Sequence, residues 1–224
     1  MGANTATRLR STSYSWPAKG FHWLIALLIL CTLPLGFYMV GLPLAPQKLR
    51  LFNYHKWIGI TVLALTVLRL LWRLSARPPD PIASTPRWQH VLAAIAHATL
   101  YLFTIVMPIT GWVMSSAYGF PTVLFTVIQL PDLVGKNKAL GDLLRSVHDG
   151  LAWGLVVVLS IHIAAALWHQ FVLRDNVLGR MLFNHGPLDP AIRYEPHQSH
   201  TDVTGLGNPR DDKGQRNSNR IDND

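Results

Sequence analysis

Ten histidines occur in the 224 residues, and six of them, His22, His55, His97, His148, His162 and His169, fall inside or at the ends of long apolar stretches. A metal-binding or ionisable side chain is costly inside a hydrocarbon layer, so each is a functional-site candidate. The plain alternative for any one of them is a hydrogen bond across a helix bundle. Spacing favours chemistry. His148 and His162 are 14 residues apart, four helical turns, so they share one helix face about 21 Å apart along the axis. Two sites at that separation lie near opposite sides of one bilayer. His55 is matched in depth with His148, and His22 with His162. Two facing histidines from different helices, twice over, make two six-coordinate centres stacked across the membrane. Paired imidazoles without thiolates or carboxylates suit haem iron, whose other ligands come from the porphyrin; a zinc site wants four clustered protein ligands. With both axial positions filled, the iron has no open place for oxygen, so the chemistry is electron transfer.

Four apolar stretches must position these side chains: roughly 21–41, 57–74, 91–115 and 151–173. Each is about 18–25 residues long, enough to cross a hydrocarbon core. The composition agrees, with 50% hydrophobic and 14% charged residues and a mean hydropathy of +0.22, against roughly 25% charged in ordinary soluble domains. The expected fold is all-α: an integral membrane four-helix bundle over residues 1–186, followed by a polar, disordered tail over 187–224. The first stretch does not read as a cleavable signal peptide, because its apolar part is too long and no small-residue cleavage site follows. Ten Lys/Arg flank the N-terminus, the connection between spans two and three, and the end of span four, whereas six lie in the two opposite loops. That asymmetry puts both termini in the cytoplasm. Pro34 and Pro108 are expected to kink spans one and three.

The remaining residues exclude several classes. One cysteine rules out a disulfide scaffold, and Cys31 reads as a packing residue in span one. The net charge of +8 does not indicate a nucleic-acid partner, because the basic residues flank apolar segments; anionic lipid or an anionic substrate fits better. Gly59, Gly150 and Gly154 lie near the ligand positions, where they allow close approach of a flat macrocycle or merely of another helix. Arg69 falls 14 residues after His55, on the same face and near the inner level. It is expected to pair with a haem propionate or to help bind a quinone headgroup, with snorkelling to the headgroups as the competing role; Arg73 reads as a snorkelling residue. His169, seven residues after His162, shares its stripe and competes with it as the inner ligand. His97 has no depth partner left and reads as structural. His90 is placed at the interface, and His197 and His200 in the tail. Trp23, Trp57, Trp72, Trp153 and Trp168 read as an aromatic belt.

The order FHW (from Phe21), YHKWIG (from Tyr54), P-x-x-G-W (Pro108 to Trp112), VHDGLAW (from Val147) and IHIAAALWHQFVLRDNVLGRM (from Ile161) resembles the bacterial cytochrome b561 family over roughly residues 14–183. The resemblance implies two haem b groups, with His22 and His162 as inner ligands and His55 and His148 as outer ligands, and so selects His162 over His169. It also implies a protein of the bacterial inner membrane that oxidises superoxide at the periplasmic face and reduces ubiquinone. The outer loops carry six basic residues against Asp132, Asp142 and Asp149, which draws an anion towards the outer haem, although charged loops are ordinary. Two other classes stay open: a haem-bearing membrane subunit that passes electrons between the quinone pool and a partner redox protein, and a histidine-lined metal transporter without haem. Haem content separates the transporter from the others, and activity of the chain alone separates the first two.

Overall fold

The computed structural model describes residues 13–76, 79, 86–175 and 177–183. The polar stretch expected as a tail, with His197 and His200, lies outside the described residues. Four helices run α1 Trp16–Val40, α2 Pro46–Ser75, α3 Arg87–Ala117 and α4 Lys138–Trp168, and α4 passes into a π-helical turn, His169–Leu173. All four are long and apolar enough to cross a membrane, with best-window hydropathies from 1.6 to 2.2. Apolar side chains point outward around the whole bundle, Leu27, Leu30, Val157 and Ile161 among them, as a lipid solvent requires.

α2 and α4 begin well before the apolar stretches that the sequence marks. Hydropathy detects only the lipid-buried part of a helix. The lead-ins, PQKLRLFNY and KALGDLLRS, mix good helix formers such as Leu, Lys, Arg and Gln with enough polar residues to lower the hydropathy. Pro46 supplies the first turn of α2. Asn137 caps α4 by accepting from the Leu140 amide at 3.1 Å. His55 and His148 therefore sit about two and a half and nearly three turns inside their helices.

Backbones approach closely between α1 and α2, α2 and α3, and α3 and α4. Gly154 belongs to the last of these, since a Cβ there would lie 2.9 Å from Phe103; it serves helix packing. α4 stands farther from α1 and α2 and meets them through side chains, with Leu155 joining Ile25, Ile29 and Val62 in a buried cluster. In sequence that cluster falls between the two histidine levels on each helix, so it forms an apolar layer separating them.

The connection from α3 to α4 folds over the outer end as a two-stranded hairpin, β1 Val123–Leu124 with β2 Ile128–Gln129. Trp57 Nε1 donates to Val123 O at 2.6 Å and Trp112 Nε1 to Pro131 O at 3.1 Å. Lys56 Nζ reaches Pro121 O at 3.1 Å. The inner end is tied similarly: Lys19 Nζ donates to Leu182 O at 2.8 Å and Trp23 Nε1 to Met181 O at 2.9 Å, holding the segment after α4 against α1.

Candidate functional site

At the outer level α2 and α4 set His55 and His148 opposite one another, with ring centroids 6.2 Å apart and planes crossed at 73°. At the inner level α1 and α4 do the same with His22 and His162, at 6.3 Å and 74°. Two metal–imidazole bonds of about 2.0 Å, plus roughly 1.2 Å from each nitrogen to its ring centre, span about 6.4 Å. Both pairs thus have the separation of two axial imidazoles on one metal ion. The helices that carry each pair are those that do not approach closely along their backbones, which suits a flat macrocycle between them. A Cβ at Gly59, one turn after His55, would meet no heavy atom within 4 Å, so this glycine keeps the space near the outer pair open; Gly150 is exposed on the far side of α4 from His148. The residues fit a haem at each level. Among the described residues, no three His, Cys, Asp or Glu side chains are grouped to hold a metal ion alone.

Neighbouring helices orient the outer rings. Thr32 Oγ1 of α1 lies 3.1 Å from His55 Nδ1. Thr110 Oγ1 of α3 lies 3.1 Å from His148 Nδ1 and itself donates to Met107 O at 2.7 Å. A glycine completes each contact: a Cβ at Gly36 would lie 3.1 Å from His55 Cε1, and one at Gly111 would lie 3.2 Å from His148 Cε1. The sequence reading missed Thr32, Gly36, Thr110 and Gly111. The P-x-x-G spacing near Pro108 was the signal available for Gly111; nothing local marks the others.

The inner level holds a third ring. His97 of α3 sits 5.4 Å from His162 with planes at 70°, about an ångström short of the separation of two opposite ligands on one metal. His97 lies at the depth of the inner couple and packs edge-on against His162, a neighbour of the couple. His169 turns away and places Nδ1 2.5 Å from Asp175 Oδ2, in a pair with side-chain exposures of 19% and 13%. The structure thus sets His162, not His169, opposite His22. Arg69 projects from α2 with its guanidinium 5.3 Å from the Tyr101 ring centre. It lines a cavity of about 60 Å³ together with Tyr14, Trp72, Arg73, His97 and Tyr101. Among the described residues Arg69 has no acidic partner.

The family model for prokaryotic cytochrome b561 matches residues 13–184. The chain belongs to the prokaryotic cytochrome b561 family. It is similar to cytochrome b561 homolog 2 of Escherichia coli, 33% identical over 176 residues that cover 75% of this chain and 90% of that one. It is similar to a Yersinia pestis protein named probable superoxide oxidase CybB, 33% identical over 178 residues, covering 75% and 95%. A third relative, cytochrome b562 of Cereibacter sphaeroides, is 29% identical over 128 residues, covering 57% and 65%. As a cytochrome b561 this is a bacterial membrane protein that transfers electrons by haem b.

Proposed function

We propose that this cytochrome b561 moves electrons across the inner membrane through two b haems, oxidising superoxide at the periplasmic face and reducing ubiquinone in the membrane. The observation that carries the two-centre reading is the pair of histidine couples with the separation of axial imidazoles. When bound, haem b supplies reversible one-electron chemistry at each centre. His55 and His148 would hold the outer group, and His22 and His162 the inner one. With two histidines at each level, each couple would hold its haem from both sides and suit it to electron transfer. Ile25, Ile29, Val62 and Leu155 keep the layer between the centres apolar.

The balance is simple. Each superoxide gives up one electron and becomes dioxygen; two such electrons with two protons convert ubiquinone to ubiquinol. Superoxide as the donor is supported by the name of the Yersinia pestis relative and by the basic outer loops. Both termini lie on the cytoplasmic side in this reading, in keeping with the Lys/Arg asymmetry.

Arg69 would take a propionate carboxylate of the inner haem. An arginine with no acidic partner inside a span needs an anion, and a guanidinium grips a carboxylate with two bonds. Arg69 borders a cavity of about 60 Å³, into which a carboxylate can reach.

The test is the reduced-minus-oxidised spectrum of the purified chain with haem quantified. The expected result is two low-spin b haems per chain, and quinone reduction on addition of superoxide without a partner protein. Absence of haem removes the reading. Two haems without activity of the chain alone turn it towards a subunit that serves a partner redox protein.

A further inference from the structure

The two histidine couples use the same ligands at nearly the same separation, 6.2 and 6.3 Å, and crossing angle, 73° and 74°. Ligand identity and ring orientation therefore do not distinguish the two irons. Their surroundings do.

At the outer couple, Thr110 spends its single hydroxyl proton on Met107 O, at 2.7 Å. Its oxygen can then only accept from His148 Nδ1, 3.1 Å away. This fixes His148 with its proton on Nδ1 and leaves Nε2 free to ligate. Thr32 stands at the same distance, 3.1 Å, from His55 Nδ1. An imidazole that donates from its far nitrogen is the more basic ligand and favours the ferric state. The charges beside this couple, Lys56 next to His55 and Asp149 next to His148, have opposite sign, and Lys56 is drawn off to Pro121 O at 3.1 Å and Ser115 Oγ at 3.4 Å.

The inner couple is set up in the opposite sense. Among the described residues neither His22 nor His162 has a hydrogen-bonding partner on its ring. The neighbouring charges are cationic: Arg69 and, one turn on, Arg73, which line the cavity with His97, the ring packed on His162. A fixed positive charge in a poorly screened site favours the less positive, ferrous iron.

We propose that the outer centre is the low-potential one and the inner centre the high-potential one, so that the protein itself makes electron flow inward downhill. With haem held at both couples, a one-electron donor at the outer face would supply an electron that passes from the outer to the inner centre, with no bond or proton moved. Thr110 is a positioning residue in this scheme, acting on the outer iron through His148. The inference rests on the two-haem reading above.

The test is a potentiometric titration of the full chain in detergent, with haem counted. His22→Ala, which retains the outer centre, assigns the midpoints. The expected result is two separated midpoints with the lower one retained in His22→Ala. Thr110→Val raises the lower midpoint and leaves the upper one in place, Thr110→Ser restores it, and Arg69→Leu lowers the upper one. Equal or inverted midpoints in a chain with two haems overturn this inference alone, as does a Thr110→Val variant with full haem and an unmoved lower midpoint. Fewer than two haems in the unmodified chain overturns the two-haem reading along with it.

Discussion

The outer and inner histidine couples match in geometry and differ in how that geometry is held. Each outer ring is clasped by a helix that is not its partner's: α1 presents Thr32 and Gly36 to His55, and α3 presents Thr110 and Gly111 to His148. The inner rings have no such hydroxyls; their ring neighbours are Trp23, 5.3 Å from His22, and His97, 5.4 Å from His162. A ligand whose far nitrogen is already bonded is oriented before metal arrives, whereas one held by packing gains its final orientation from the group it binds. The outer couple is built to hold a fixed geometry, and the inner couple is built to surround its centre with positive charge.

The strongest break in this comparison removes a ligand. His148→Ala is expected to lower haem from two towards one per chain and to leave the inner couple's signal, because His22 and His162 share no ligand with it. Haem quantification with low-temperature spectra of the α-band checks this. Loss of both haems in that variant would show that the couples are assembled together and not as separate sites.

A subtler break crowds the clasp. The Gly111 position has no spare room, since even a Cβ would lie 3.2 Å from His148 Cε1, tighter than ordinary van der Waals contact. Gly111→Leu is expected to drive the His148 ring from its position and to cost most of the outer haem. Gly111→Ala, which needs a shift of only tenths of an ångström, should retain haem with a displaced outer midpoint. At Gly59 a Cβ meets no protein atom within 4 Å, so Gly59→Ala reports directly on how near the bound macrocycle comes.

What the sequence makes legible here is what helix geometry alone determines. The 14-residue interval from His148 to His162 fixes a shared face and a depth difference, and depth matching then pairs His55 with one and His22 with the other. What needs interhelical packing was not legible. Thr32 is 23 residues from His55 and Thr110 is 38 from His148; their contacts follow from the side-by-side packing of α1 on α2 and α3 on α4. Glycine illustrates the same limit, because Gly154 adjoins a ligand helix turn yet packs on Phe103, while Gly36 and Gly111, on other helices, touch the ligand rings. His97 reads as structural in sequence, and its edge-on contact with His162 comes from the packing of α3 on α4, which no spacing along one helix discloses.

His97 sharpens the inner half of the comparison. If it is a neighbour and not a ligand, His97→Phe keeps an aromatic edge against His162 and should retain both haems, in contrast to His162→Ala. Since it also removes a polar group from the Arg69 cavity, a modest displacement of the upper midpoint is expected, smaller than that of Arg69→Leu. Loss of one haem in His97→Phe would instead make it a ligand and displace His22 or His162 from that role.

The smallest effect is expected where a histidine has been set aside from the chemistry. His169 and Asp175 are bonded at 2.5 Å across the π-helical turn, with Arg174 in the left-handed conformation at φ 54° between them. The pair fastens the end of α4 just before the segment that Lys19 and Trp23 hold against α1. Asp175→Asn keeps the shape and an acceptor oxygen but gives up the charge, and the loss is about 1–3 kcal/mol for a partly buried charged hydrogen bond. Thermal unfolding of the detergent-solubilised protein should shift by a few degrees, with two haems and both midpoints unchanged. A variant that lost inner haem without losing thermal stability would mean that His169, once released from Asp175, competes with His162 for His22.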